Sequence, residues 1–497
     1  MRRLWLLLFA ASALALSQQA DKRTVTGIVT NGATSEPIQR ALVQWVGQGG
    51  QFSAFTGPDG RFSIENVAPN GVLSAQKPGF VSANQIPAGN GEVQLRLMPN
   101  GKITGHALDP DGEPIEHLQI QLLASQIIQG RRTWMQRGVA NTDENGFYAL
   151  NSLPAGRYIL HTLIQPVPAT AVDGPALVYP PRYYPGASDL ASAQMIQVTG
   201  GQDATVDLSL QPERGFRVSG SVAGLSQGAP LGLSLSDADG QQISFEGSAA
   251  DQRTGQFTLE HIPSGSWTIT VANLSRQDFT VSGADVSGLQ ILVQPPAAIP
   301  VILNHSTGAA AQIRLIPEQG NVHGNFFARP DGPSLPADTE RHLVIGNIPP
   351  GRYRLAVDTT GSGCIGSASS GSADLTRDDL IVSPGSQPEP ITINLDQNCA
   401  TVSGTIASSG GQGAGGFAVA VPEEAQGGAK FTVFVDGRGF ILTGLSPGTY
   451  QIYAFTNLDD LEYANPDALR EYHGQQVDLQ AGQQTSVTVE VNQRGPK

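Results

Sequence analysis

The stretch from Thr142 to Leu160, Thr-Asp-Glu-Asn-Gly-Phe-Tyr-Ala-Leu-Asn-Ser-Leu-Pro-Ala-Gly-Arg-Tyr-Ile-Leu, constrains this chain most, because it recurs. Asp143 to Gly146 is turn chemistry: Asp bonds its own backbone two residues on, and Gly supplies positive φ, so a hairpin is expected. Tyr148 and Leu150 share one strand face. Leu153 restarts the apolar side after a bend, and Gly156 is expected to be left-handed before Tyr158 and Leu160. The same template fits Phe62, Ile64, Val67, Asn70 and Val72, with Asn70 in place of the glycine. It fits again at Phe257 to Trp267, Leu343 to Tyr353 and Phe440 to Tyr450. Such a period reads as about five modules in series.

The expected fold class is therefore all-β: a tandem array of about five transthyretin-like or Ig-like β-sandwich modules after an N-terminal signal peptide. The expected boundaries are a leader over 1–17, then modules over 22–99, 100–212, 213–295, 296–397 and 398–493. With 59 Gly, 34 Pro and only 14% charged residues, the composition suits turns and short strands better than amphipathic helices. Gly-rich loops are expected at 362–372 and 408–416. The fourth module is the poorest copy, lacking both the opening Val-x-Gly strand and the Asp-to-Gly turn. Asn465-Pro466-Asp467 offers a cap, a first-turn proline and an early acid, so a short helix is expected over 467–472.

Arg2 and Arg3 precede an apolar run from Leu4 to Leu16, the pattern of a secretory leader and too short to span a bilayer. An exported chain is expected, secreted or in the periplasm or cell envelope, with no membrane insertion after the leader is cleaved. The net charge of −14 repels phosphate backbones, which makes nucleic acid a poor partner. Cys364 and Cys399 fit no metal spacing. An even count in an exported chain favours one disulfide, with two free buried thiols as the alternative.

The opening strand, the Asp-x-x-Gly-x-Phe turn and the Leu-x-Pro-x-Gly-x-Tyr corner together resemble the carboxypeptidase regulatory-like domain. That family is a transthyretin-like β-sandwich also grouped with carbohydrate-binding-like folds. The resemblance implies an accessory, non-catalytic module. The family's best-known owners carry a separate zinc peptidase domain, for which this chain has no room.

Catalytic motifs find little support. No histidine has a second histidine or a glutamate at zinc-ligand spacing, and no cofactor motif is present. The Gly-x-Ser-x-Gly matches at Gly224 to Gly228 and Gly444 to Gly448 lack the strand-to-helix context of a nucleophile elbow. Asp109-Pro-Asp111-Gly112 and Asp237-Ala-Asp239-Gly240 are too short for a calcium loop and read as turns.

Aromatic rings can stack on sugar faces, and the candidates are Trp134 with Tyr179, Tyr183 and Tyr184 of a proline-rich insertion in the second module; Trp45, Phe52 and Phe55 are weaker ones. Packing against the sandwich is the competing role for all of these. The expected function is thus a non-enzymatic exported binding or scaffold protein, with carbohydrate as ligand. A structural or adhesive array with envelope-protein partners is the alternative, and an accessory role in a hydrolase system a distant third.

Overall fold

The computed structural model describes residues 23–493 apart from 48–49, 68–70, 86–91, 129, 169–175, 226–230, 244–248, 273, 306–309, 318–324, 332–339, 361–362, 408–415, 424–429, 435–438 and 459. The leader, Asn70 and most of the Gly-rich run at 408–416 thus lie outside the described residues. Within them the chain is an all-β tandem array of sandwich modules, with one short α-helix at Pro466–Leu469 and a 3-10 turn at Leu190–Ser192. The helix takes Asn465 as its cap, as expected, but starts at Pro466 and ends at Leu469. The chain divides into two compact units. The first holds residues up to Gly105 with Ala149–Arg157 and Ile196–Val206; the second holds His106–Tyr148, Tyr158–Met195 and the chain from Asp207 onward.

In the first unit the opening strand Arg23–Asn31 lies between Arg61–Val67, antiparallel, and Val93–Leu97, parallel. Its alternating residues Val25 and Val29 meet Val43, Trp45 and Leu73 of a second sheet in one core, where Trp45 is wholly buried. In the second unit the same three-strand arrangement occurs three times. Phe216–Ala223 lies between Gln256–Ile262 and Val286–Leu292, Ala297–Asn304 between Glu340–Ile348 and Ile391–Asp396, and Ala400–Ala407 between Phe440–Leu445 and Gln484–Asn492.

The fourth module therefore does have an opening strand, and the reason its signature is missing is a pairing rule. Gly27, Gly220 and Gly404 stand opposite Phe62, Phe257 and Phe440. A Cβ at each glycine would come within 2.6–2.8 Å of the phenylalanine ring and 2.2–2.3 Å of a carbonyl on the parallel closing strand. Glycine is the residue that lets the ring lie flat across the strand. In the fourth module Val301 faces Leu343, so neither member of the pair is needed.

The corner also works differently from expectation. Positive φ falls at Asn66, Ser152, His261, Asn347 and Gly444, at 61°, 59°, 62°, 58° and 70°, and Gly156 is not left-handed. Where the register is defined, it slips by one residue there against the opening strand, which is a β-bulge. The later glycine serves the aromatic two positions on. A Cβ at Gly351 would stand 3.3 Å from the Tyr353 ring. That ring folds back so its hydroxyl donates to Pro349 O at 2.7 Å; Tyr450 OH donates to Ser446 O at 3.0 Å, and Trp267 Nε1 to Pro263 O at 3.0 Å. Each buried aromatic thus satisfies its polar tip inside its own corner.

Candidate functional site

The insertion does not form an open aromatic surface. Leu177–Tyr179 is the central strand of a small sheet between Gln165–Pro166 and Glu213–Arg214. Pro180 follows the strand instead of interrupting it. Val178 is packed into the core of the third module, and Tyr179 is 8% exposed. The chain then returns along the strand Gly156–Thr162. Tyr184 N donates to Leu160 O and Thr162 N to Arg182 O, placing Tyr183 beside His161.

Tyr183 and His161 are buried side by side with stacked rings, centroids 4.3 Å apart and planes at 19°. The Asp237 to Gly240 turn of the third module closes over them. Tyr183 OH donates to Asp237 Oδ2 at 3.1 Å, His161 Nε2 lies 3.5 Å from the same oxygen, and Leu190 N donates to Asp239 Oδ2 at 2.8 Å. Asp237 Oδ1 accepts from Gln241 N, and Gly240 has φ 77°, so the expected turn is present and its free carboxylate oxygens hold the insertion.

Burial disfavours both charges: it pulls the His161 imidazole down to about 4 and pushes the Asp237 carboxyl up to about 6, against the hydrogen bonds from Gln241 and Tyr183. A histidine sealed from solvent, with neither nitrogen hydrogen-bonded among the described residues, cannot pass protons to a substrate. The group is a fastening.

Of the expected site residues, the structure brings Trp134 and Tyr183 into one cluster with Leu123 and Ile159. Tyr179 packs elsewhere and Tyr184 is half-buried. Neither Tyr179 nor Tyr183 offers an open ring face.

A second fastening was not visible in the sequence. Arg132, on the strand Arg131–Asn141, donates from Nε to Glu462 Oε1 at 2.8 Å and from Nη1 to Asp460 Oδ1 and Ser125 Oγ, both at 2.6 Å. Next to it Ala464 N donates to Gly130 O, and Ile127 packs against Leu461, Tyr463 and Leu469. The third fastening is the expected disulfide: Cys364 and Cys399 are bonded, with Cα atoms 5.7 Å apart. Ser446 of the Gly-x-Ser-x-Gly match donates to Ile365 O at 2.8 Å and is structural; the Gly224 to Gly228 match extends beyond the described residues. No group of three or more metal-ligand side chains is present among the described residues, nor a helix long and apolar enough to cross a membrane.

No family model and no curated protein sequence matches the chain. Among solved structures, a streptococcal ancillary pilin is 13% identical, covering 55% of this chain and all of that one at a TM-score of 0.18. The shaft pilin of Lactobacillus rhamnosus GG is 12% identical over 39% of this chain and 98% of that one, TM-score 0.19. The Bacillus anthracis TIE protein is 12% identical over 76% and 69%, TM-score 0.16. At these scores the likeness carries no inference about function.

Proposed function

We propose that this chain is a non-catalytic, exported scaffold of the cell envelope, built from modules of the carboxypeptidase regulatory-like type and presenting surfaces to protein partners. The observation that carries this reading is the set of three fastenings in the second unit: Tyr183 and His161 under Asp237, Arg132 on Asp460 and Glu462, and Cys364 with Cys399. Each joins segments belonging to different repeats, or a repeat to its connector. Fastened repeats hold a fixed spacing, which a spacer or adhesive array needs and a loose string lacks.

The outer face of the first module supports a protein partner. Leu42 faces Phe55 and Val46 faces Val72 on that side, with Phe55 68% and Val46 52% exposed. Adjacent exposed apolar pairs mark contact surfaces more often than scattered single ones do. A photo-crosslinking residue placed at Phe55 in cells tests the reading. Envelope proteins captured from Phe55 are the expected products. Capture of polysaccharide alone, or turnover of an envelope polymer by the purified chain, would overturn it.

A further inference from the structure

The solvent face of the opening-strand sheet in the third module carries a groove of about 500 Å³, in the range of small-ligand sites. Its shape follows from residue size. On the central strand Phe216–Ala223 the outward residues Ser219 and Ser221 are small, while Ser221 is flanked by the longer Gln256 on one side and Gln290 on the other. Ser219 stands opposite Thr258. The trough thus has a low floor, two amide walls, and the Asp251 turn at its rim.

An independent backbone feature lies beside it. The parallel closing strands of the first, fourth and fifth modules run in unbroken register. In the third module the register jumps, with Val218 opposite Val286 but Gly220 opposite Leu289, so Ser287 and Gly288 both face Ser219. Gly288 takes φ 75°, and nothing lies within 4 Å of where its Cβ would be. A bulge at a glycine beside the trough sets this face apart from those of the first, fourth and fifth modules.

The lining selects a ligand class. Ser219, Ser221, Thr258, Gln256 and Gln290 are uncharged, and each both donates and accepts. Among the described residues no cation lines the groove to hold a phosphate or carboxylate. The carboxylate of Asp251 is engaged by Arg253 N at 2.8 Å, and the Phe257 ring lies under the sheet, so no apolar wall receives an acyl chain or a peptide anchor. The geometry points to a binding site for a neutral oligosaccharide, whose hydroxyls are likewise donors and acceptors, on this face of the third module and separate from the aromatic insertion. This site adds a ligand to the scaffold and does not depend on its protein partners.

Titration calorimetry of the full chain with neutral hexasaccharides of glucose, galactose, mannose and N-acetylglucosamine tests it, with a hexauronate and an uncharged extended peptide as comparators. Saturable binding of at least one neutral hexasaccharide is expected. Gln256→Ala with Gln290→Ala should weaken that binding by about tenfold, two hydrogen bonds being lost from exposed walls. Ser221→Tyr should abolish it by filling the trough, with the melting temperature as the check on folding; if this variant fails to fold, the two glutamine variants still decide. Binding of no neutral sugar, a preference for the uronate or the peptide, or affinity untouched by the glutamine substitutions would each overturn the assignment.

Discussion

Burial lowers the His161 imidazole and raises the Asp237 carboxyl, so that near pH 5 the fold favours on Asp237 the proton that an unfolded chain carries on His161. Near pH 5 an unfolded chain carries it on imidazole, at the usual histidine value of about 6.5, and leaves the carboxylate ionised. In the fold the order is reversed, with His161 at about 4 and Asp237 at about 6. The signs are opposite. The lowered histidine loses stability as pH falls from about 6.5 toward 4, because the unfolded state takes up the proton; the raised aspartate loses stability as pH rises from about 4 to 6, because the folded state holds it. Each amounts to roughly 3 kcal/mol, so in the intact pair they nearly cancel. Urea midpoints read between pH 4 and 6.5 should expose the two halves. His161→Phe is expected to become relatively more stable as pH falls, and Asp237→Asn relatively less, against a wild-type baseline between them. Three parallel profiles would show that the pair does not exchange a proton. A second residue-scale expectation concerns the glycine and phenylalanine pairs. Gly404→Ala should cost about 1–3 kcal/mol by overpacking against Phe440 and the Val487 carbonyl. Phe440→Leu in the same chain should recover only the part due to the ring, since the carbonyl stays where it is; full recovery in the double variant would contradict that division.

At the scale of elements, features set by local chemistry are legible in the sequence, and those set by backbone pairing are not. The Asp-to-Gly turn is local: Asp143 Oδ1 accepts from Asn145 N and Phe147 N at 2.9 Å, and Gly146 has φ 71°. The corner is recognisable as a corner, but its left-handed residue is not the glycine, the usual occupant. The strain instead falls where the bulge forces it, at an Asn, Ser, His, Asn or Gly with no common side chain to announce it. The opening strand of the fourth module lacks its signature for the same reason, since Val301 opposite Leu343 replaces the glycine that stands opposite phenylalanine in the first, third and fifth modules. Ser152 offers a clean test because it is exposed and held at φ 59°. Ser152→Gly should stabilise by about 0.5–1 kcal/mol and Ser152→Val should destabilise by about 1–2 kcal/mol, read as shifts in the urea midpoint. Equal effects of the two would place the strain elsewhere.

At the scale of the whole molecule, the disulfide was legible because only two cysteines compete for one bond, whereas the burial of Tyr183 and the Arg132 clasp were not. Both depend on residues from other repeats, with Arg132 and Asp460 separated by 328 positions. Nothing in the local pattern of either segment marks the other. The clasp nevertheless has a physical signature in the structure. Arg132, Asp460 and Glu462 are each only about a quarter exposed, Arg132 Nη2 also reaches Asp460 O at 3.2 Å, and Asp460 is held at a positive φ of 58°. Loss of the guanidinium would leave two carboxylates close together, partly desolvated and without their shared partner. Arg132→Leu is therefore expected to cost about 2–3 kcal/mol locally, and Arg132→Lys to restore only part of it, because an ammonium cannot engage both carboxylates through a planar fork. Since the strain at Asp460 is held by the clasp, release should be local before it is global. Amide exchange across Leu461 to Leu469 should rise sharply in Arg132→Leu, while the core strands Ala297–Asn304 and Ala400–Ala407 stay protected. Uniform acceleration through the second unit would show instead that the clasp belongs to one cooperative core, and unchanged exchange at Leu461 to Leu469 would show that the apolar contacts of Ile127 hold the segment without the charges.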